Sequence, residues 1–324
     1  MTEPTLNYVH CPGAAANPTA PSGGGESGHR MAYWEWNGTG DPAHPHVVVC
    51  VHGLTRQGRD FDVLARRLSR HARVVCPDVA GRGHSDWLAD PACYQVPVYA
   101  GDMLALLHHL HAQAPLRTLD WVGTSMGGLI GMALCGQPDL PLPVPVRRLV
   151  LNDVGPALEW TALQRIGQYV GKVVRFGSAA AAVEALRVIS AGFGPHTPQE
   201  WLALSEPMLR PLPDGACRLH YDPAIAEAFR SLTPEIARAA DERLWQLYDH
   251  IRARTLVLRG ADSDLLVPAT VQAMAQRGPR ARVVEWQGVG HAPTLVASGQ
   301  VDVVEQFLFG EPAQDVAHTE AGSA

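Results

Sequence analysis

Short apolar runs rich in β-branched residues alternate along this chain with segments of helical spacing. Residues 46–51, 72–76 and 118–122 each have the character of a buried strand, and a helical pattern separates one run from the next. Strands that alternate with helices pair in parallel, because each helix carries the chain back across the face of the sheet. The sequence therefore predicts a doubly wound α/β fold with a mainly parallel sheet of about eight strands.

The alternation is interrupted once, in the Ala-rich stretch of residues 157–248. Seven prolines divide this stretch into short helices, and no strong strand is evident in it. We expect a helical lid over the carboxyl edge of the sheet, where open α/β sheets bind their ligands. The predicted organisation is a flexible segment, a first core part, the lid, a second core part and a flexible tail: residues 1–28, 29–156, 157–248, 249–310 and 311–324.

Charge and composition exclude several classes of partner. The net charge of −6 argues against nucleic acid and anionic membranes, which both need a basic surface. No apolar run is long enough to insert into a membrane, and the first 29 residues carry neither Lys nor Arg, so we expect a cytoplasmic protein. The six cysteines contain no C-x-x-C pair, which disfavours a disulfide scaffold or a zinc ribbon. A monomer and a homodimer both stay open.

The strongest motif is the Gly-Thr-Ser-Met-Gly sequence of residues 123–127, which has G-x-S-x-G spacing. A predicted strand precedes it and a predicted helix follows it. A strand-to-helix turn this sharp strains the central residue and requires small neighbours two positions before and after. It holds the Ser125 hydroxyl at the sheet edge, over the positive end of the helix. The motif predicts Ser125 as a nucleophile; the alternative is a serine that only caps the helix.

With this motif in this context, the chain resembles the α/β-hydrolases over about residues 30–310. His52-Gly53-Leu54, directly after a strand, matches the turn that in this family helps to form an oxyanion hole. The resemblance implies that the backbone amides of Leu54 and Met126 hold the oxyanion. Residues 78–85 match the family's D-x-x-G-x-G-x-S loop, for which a structural role is expected.

The same resemblance implies a triad in the chain order Ser, acid, His. His291, in the sequence Gly-Val-Gly-His, matches the family's G-x-G-H loop and is the predicted base. Asp264 is favoured as the acid because it opens a D-x-hydrophobic-hydrophobic-Pro sequence after a strand. Asp262 and Asp153 are the alternatives; we expect Asp262 to cap a turn and Asp153 to belong to a structural turn before the lid.

These residues predict a serine hydrolase that cleaves carboxylic esters of small or medium acyl chain through an acyl-enzyme. His52 and Gly53 at the turn, and Trp160 and Phe193 in the lid, are the predicted substrate contacts, although both aromatic residues also suit the core of a lid. No cofactor and no metal are implied. The alternatives are a C–C bond hydrolase of ring-cleavage products, an enol-lactonase or a perhydrolase with the same triad. A non-catalytic ligand-binding protein of this fold comes last.

Overall fold

The computed structural model describes residues 3–12 and 28–310 of the 324-residue chain. The predicted tail, residues 311–324, and residues 13–27 of the predicted N-terminal segment lie outside the described residues. The described part contains strands, α-helices and short 3-10 helices in alternation.

The strands are β1 (Thr5–Cys11), β2 (His29–Trp36), β3 (His46–Val51), β4 (Arg73–Pro77), β5 (Thr118–Thr124), β6 (Val146–Asn152), β7 (Arg175–Phe176), β8 (Leu209–Pro211), β9 (Cys217–Leu219), β10 (Arg254–Gly260) and β11 (Arg282–Trp286). The α-helices are α1 (Asp62–Leu68), α2 (Val96–Gln113), α3 (Met126–Gly136), α4 (Trp160–Tyr169), α5 (Ala179–Ile189), α6 (Pro198–Ser205), α7 (Glu227–Arg230), α8 (Pro234–His250), α9 (Pro268–Gln276) and α10 (Ser298–Phe309).

The main sheet has eight strands in the order β1-β2-β4-β3-β5-β6-β10-β11. The pairs β1–β2 and β2–β4 are antiparallel, and the other pairs are parallel. The predicted mainly parallel sheet of eight strands is therefore confirmed. Because β3, β5, β6 and β10 are neighbours and run in the same direction, the turns that follow them meet at one edge of the sheet.

Both faces of the sheet are covered, which explains why β3 is apolar from Val47 to Val51. Alternate β3 side chains point to opposite faces: Val47, Val49 and Val51 join one buried cluster, whereas Val48 and Cys50 join the other. The first cluster contains residues of α2 and α3, and the second contains residues of α1 and α10. Each fully buried valine contributes about 1.5–3 kcal/mol relative to an exposed one.

Strand β1 departs from the predicted organisation. The sequence predicts a flexible segment over residues 1–28, but residues 5–11 pair with β2 along seven residues. Only Val9 and Cys11 of this strand are buried, because it lies at the edge of the sheet. With two buried positions in seven, the apolar alternation was too weak to predict a strand.

The six cysteines are all free.

The stretch 157–248 contains helices α4–α8 together with a small antiparallel sheet of order β7-β9-β8. The expectation of helices without strands was incomplete, because strands of two or three residues show no periodicity. The lid contacts the core at the carboxyl edge: the Gly83 amide donates to the His220 carbonyl at 3.0 Å, and the backbones of Arg82 and Tyr221 form an isolated antiparallel β-bridge.

Among the described helices, none is both long and apolar enough to cross a membrane.

Candidate active site

Ser125 lies in a turn between β5 and α3 that admits little variation. Its φ of 52° and ψ of −116° are unusual for a residue with a side chain, and such strain clusters at functional sites. A Cβ atom added at Gly123 would collide with the backbone of Gly127, and one added at Gly127 would collide with the carbonyl of Val51. These collisions explain why both glycines flank the serine.

Ser125, His291 and Asp153 form one chain of hydrogen bonds. The Ser125 Oγ lies 2.9 Å from His291 Nε2, and His291 Nδ1 lies 2.7 Å from Asp153 Oδ2. Because a carboxylate only accepts hydrogen bonds, Nδ1 carries the proton and Nε2 is free to accept from the serine hydroxyl. His291 is half-buried, whereas the Asp153 carboxylate is fully buried.

The buried Asp153 carboxylate is held by the turn that follows β10. Its Oδ1 accepts from the Gly260 amide at 2.9 Å, and its Oδ2 accepts from the Ser263 hydroxyl at 2.5 Å. The Asp153 backbone has a φ of 55°, and its amide donates to the Leu258 carbonyl at 2.7 Å. These contacts orient the carboxylate toward His291 and replace the water that burial removes.

The prediction of Asp264 as the partner of His291 is wrong. The Asp264 side chain is 48% exposed and forms a bidentate ion pair with Arg165 of α4, at 2.8 and 2.9 Å. Asp262 is also exposed. The turn after β10 contributes Ser263 and Gly260 to the site, but the carboxylate that reaches His291 comes from the neighbouring strand β6.

The predicted oxyanion turn lies against Ser125. A Cβ atom built on Gly53 would stand 3.7 Å from the Ser125 Cβ. Met126 is the first residue of α3, so its amide has no acceptor within the helix. In the described part of the chain, neither the Leu54 amide nor the Met126 amide donates to a protein acceptor. Both amides are therefore available to an oxygen bound beside Ser125.

His52 does not have the position expected of a substrate contact. It is fully buried; its Nε2 accepts from the Val79 amide at 3.0 Å, and its Nδ1 donates to the Gly53 carbonyl at 2.7 Å. The His52 pKa is lowered to about 3, chiefly by burial; the hydrogen bond to the Gly53 carbonyl opposes this shift, and the charges of Arg82 and Arg56 add to it. His52 is thus a neutral residue that braces the turn, because both ring nitrogens are already bonded within the protein.

The two predicted lid contacts differ in their position. Phe193 is half-buried, stacks on Trp201 with ring centroids 6.3 Å apart, and has the Arg56 guanidinium 5.6 Å from its ring centroid. Its neighbour Gly192 accepts a hydrogen bond from the Gly290 amide at 2.6 Å, which places Phe193 beside the loop of His291. Trp160 is half-buried at the start of α4, and none of the described contacts joins it to Ser125 or His291.

Outside this site, Cys11, His29 and Asp102 form a buried cluster whose ligand atoms lie within 4.8 Å of one another. Such a donor set suits a borderline metal ion. The His29 imidazole and the Asp102 carboxylate already bond to each other at 3.0 Å, and burial keeps the Cys11 thiol protonated by raising its pKa. The cluster is fully explained as a satisfied polar contact between β1, β2 and α2.

The fold and the strained serine turn define a class of protein, and comparison with known proteins agrees. The model of the "Alpha/beta hydrolase family" matches residues 48–305. The chain belongs to the α/β-hydrolase family.

Several proteins of this family are similar to the chain over most of its length. The chain is 48% identical to a 3-hydroxybutyrate-oligomer hydrolase of Cupriavidus necator over 310 residues, which are 95% of this chain and 98% of the relative. It is 28% identical to a pimeloyl-[acyl-carrier protein] methyl ester esterase of Xanthomonas campestris pv. campestris, over 83% of this chain and 97% of the relative. An α/β hydrolase structure from Novosphingobium aromaticivorans is 33% identical with a TM-score of 0.76, covering 95% and 99% of the two chains. These similarities support a hydrolase.

Proposed function

We propose that this protein is a serine hydrolase of carboxylic esters, and that its substrates are short oligomers of 3-hydroxybutyrate. The observation that carries the mechanism is the hydrogen-bond chain from Ser125 Oγ through His291 to Asp153. A serine activated by a histidine base, which a buried carboxylate orients, is the arrangement required for acyl transfer.

The reaction runs in two halves. Ser125 Oγ attacks the ester carbonyl while His291 Nε2 accepts the hydroxyl proton, and the amides of Leu54 and Met126 hold the oxyanion. The tetrahedral intermediate then collapses, and His291 returns the proton to the departing alcohol. Water, deprotonated by His291, attacks the acyl-enzyme; the bond between the acyl carbon and Ser125 Oγ then breaks, His291 returns the proton to Ser125 Oγ, and the acid is released. Asp153 keeps the proton on Nδ1 and stabilises the imidazolium; it stays ionised throughout.

The substrate class rests on the relative that shares nearly the whole chain at 48% identity. In an oligomer of 3-hydroxybutyrate, an ester joins the hydroxyl of one unit to the carboxyl of the next. Each cleavage therefore releases a short 3-hydroxyacyl group, which lies within the small or medium range of acyl chains expected from the sequence. Relatives named as esterases support ester hydrolysis more broadly.

The decisive experiment compares the wild type with Ser125→Ala on two substrate sets. The first set is p-nitrophenyl esters from acetate to palmitate, and the second is linear dimers and trimers of 3-hydroxybutyrate. We expect hydrolysis of the short esters and the oligomers, and a loss of kcat on the order of 10⁵-fold in the variant. The variant should keep the wild-type melting temperature within a few degrees.

Two outcomes would contradict parts of the proposal. Full activity in a folded Ser125→Ala variant would exclude Ser125 as the nucleophile. Serine-dependent hydrolysis of p-nitrophenyl esters without cleavage of the oligomers would keep the mechanism and exclude the substrate class, with lactones and ring-cleavage products as the next substrates to assay.

A further inference from the structure

Arg82 is a buried cation at the base of the site that the mechanism above does not use. It lies in the loop after β4 and is 0% exposed. The loop is anchored by the buried Asp78 carboxylate, which accepts hydrogen bonds from the amides of Gly58 and His84. These hydrogen bonds hold the loop backbone that carries Arg82 in place.

The Arg82 guanidinium bonds only to neutral groups. Its Nε donates to the Leu54 carbonyl at 2.8 Å, and one terminal nitrogen donates to the Ala80 carbonyl at 2.6 Å and the Tyr99 hydroxyl at 2.9 Å. The other terminal nitrogen lies 3.5 Å from the Met126 sulfur. Among the described residues, no carboxylate lies within 4 Å of it.

A buried guanidinium without a carboxylate is costly, because burial removes its hydration and no opposite charge compensates for it. An apolar side chain would fill the same space without this cost. Arg82 contacts Leu54 and Met126, the same two residues whose amides have no protein acceptor in the described part of the chain. A fixed positive charge next to these two residues stabilises negative charge that develops on an oxygen bound to their amides, and it does so more strongly where water is excluded.

The surroundings keep this charge in place. The ring of Tyr99 lies 4.9 Å from the guanidinium carbon and that of Tyr94 lies 5.7 Å from it, so aromatic faces line the cavity that the cation fills. The charge also acts on the oxyanion turn: it is one of the causes that lower the pKa of the buried His52 beside Leu54.

We infer that Arg82 is a positioning residue for the oxyanion hole: its hydrogen bond to the Leu54 carbonyl holds the residue whose amide is one of the two donors, and its guanidinium supplies a buried positive charge next to Leu54 and Met126. The inference rests on the proposed serine mechanism. It concerns the tetrahedral state alone, in which the Ser125 oxygen has bonded to the carbonyl carbon, the carbonyl electron pair has moved to oxygen, and His291 holds the displaced proton.

The test compares two inhibitors that differ only in whether they form an oxyanion. Ser125 Oγ adds to the carbonyl carbon of a trifluoromethyl ketone and converts the ketone into a hemiketal oxyanion. The corresponding secondary alcohol has no carbonyl group and cannot form this adduct. For Arg82→Met we expect the ketone to bind on the order of 100-fold more weakly, with kcat for p-nitrophenyl butyrate lowered by a similar factor. Alcohol binding and KM should change less than about threefold, because they report ground-state binding.

Two further variants separate charge from fold. Arg82→Lys keeps the charge but not the fork of donors, so its loss should be smaller than that of Arg82→Met. Arg82→Gln keeps a donor without charge and serves as the neutral variant if Arg82→Met does not fold. The matched control is Arg73→Met: Arg73 is 3% exposed, but it pairs with Glu35 at the opposite end of β4. We expect Arg73→Met to lower the melting temperature and leave the ketone-to-alcohol ratio unchanged.

The outcomes separate this inference from the proposed function. If the wild type binds the ketone no more tightly than the alcohol, the serine mechanism itself fails. If the wild type prefers the ketone and a folded neutral Arg82 variant keeps the same preference, the role assigned to Arg82 is overturned. An equal loss of ketone and alcohol binding would also overturn it, because that result indicates a general distortion of the site.

Discussion

Two regions meet at the carboxyl edge of the sheet, and they are held in different ways. The site floor consists of the turns after β3, β5 and β6: residues 52–54, residues 123–127 and Asp153. The lid rim consists of four polar contacts between lid and core: Arg56 with the Leu204 carbonyl, Arg165 with Asp264, His196 with Thr294, and Gly290 with the Gly192 carbonyl. The floor residues are held by buried hydrogen bonds and by a backbone too crowded for side chains at Gly123 and Gly127. The rim, in contrast, includes a half-exposed ion pair.

This difference indicates where the energy of the site lies. A buried carboxylate such as Asp153 must keep every hydrogen bond, because water cannot replace a lost partner. An ion pair that is half-exposed on both sides, as Arg165–Asp264 is, contributes about 0–1 kcal/mol. We therefore expect substitutions in the floor to change kcat or acid stability, and substitutions in the rim to change little.

Apart from loss of the nucleophile itself, the largest effect in the floor is expected from Asp153→Asn. The amide leaves the shape of the floor intact, but it favours the wrong imidazole tautomer and removes the charge that stabilises the imidazolium. We expect kcat for p-nitrophenyl butyrate to fall on the order of 10³–10⁴-fold. Asp264→Asn is the matched control in the rim, and an equal loss in the two variants would remove the distinction between floor and rim.

The pH dependence of stability should report on His52. Its folded pKa of about 3 lies below the ordinary value of about 6.5, so the unfolded state binds more protons between these values. The free energy of unfolding should therefore fall as the pH is lowered from about 6.5 toward 3, by up to about 1.4 kcal/mol per pH unit from this residue. Urea unfolding at pH 7 and pH 4.5 measures this loss.

His52→Gln is the comparison for that measurement. Its amide oxygen can accept from Val79 but does not titrate, so the variant should lose less stability than the wild type over the same pH interval. A variant that loses as much stability as the wild type would show that His52 is not the residue whose protonation matters.

A smaller effect on kcat is expected from Ser263→Ala. The substitution removes one donor to the Asp153 oxygen that also bonds His291, so we expect kcat to fall by about tenfold with little change in KM. The Leu265 and Leu266 amides also lose the acceptor that Ser263 provides, so the melting temperature should fall by a few degrees. An unchanged kcat in the folded variant would exclude Ser263 as a support of the carboxylate.

The smallest effect is expected from Asp264→Asn itself. Its only described side-chain partner is Arg165, and both groups are about half-exposed. We expect kcat to stay within about twofold and the free energy of unfolding to change by less than about 1 kcal/mol. A loss of kcat greater than about tenfold would mean that the rim takes part in the chemistry.

Much of the fold was predictable because the patterns that determine it are local. β3 is apolar from Val47 to Val51 because both its faces are covered there, and that run can be recognised without knowledge of its neighbours. The glycines around Ser125 are equally local evidence, since the collisions they avoid involve the turn itself and the adjacent strand. Edge strand β1 was not predictable, because only two of its seven residues are buried and the apolar pattern is correspondingly weak.

The choice between Asp153 and Asp264 shows what local patterns do not contain. Both follow a strand of the sheet, and both stand at the carboxyl edge near His291 in the predicted topology. Asp153 reaches His291 because its backbone turns at a φ of 55° and its carboxylate is taken up by Gly260 and Ser263 from the next strand. Those contacts join residues more than 100 positions apart, so no sequence window includes them.

The parallel sheet, the strained serine turn and the histidine loop could be predicted, because each depends on residue types within a few positions of one another. Long-range packing was needed to establish that Asp153 orients His291, that His52 is a buried brace, and that Arg82 contacts both Leu54 and Met126. These outcomes depend on which side chains are buried together, and burial is a property of the packed molecule.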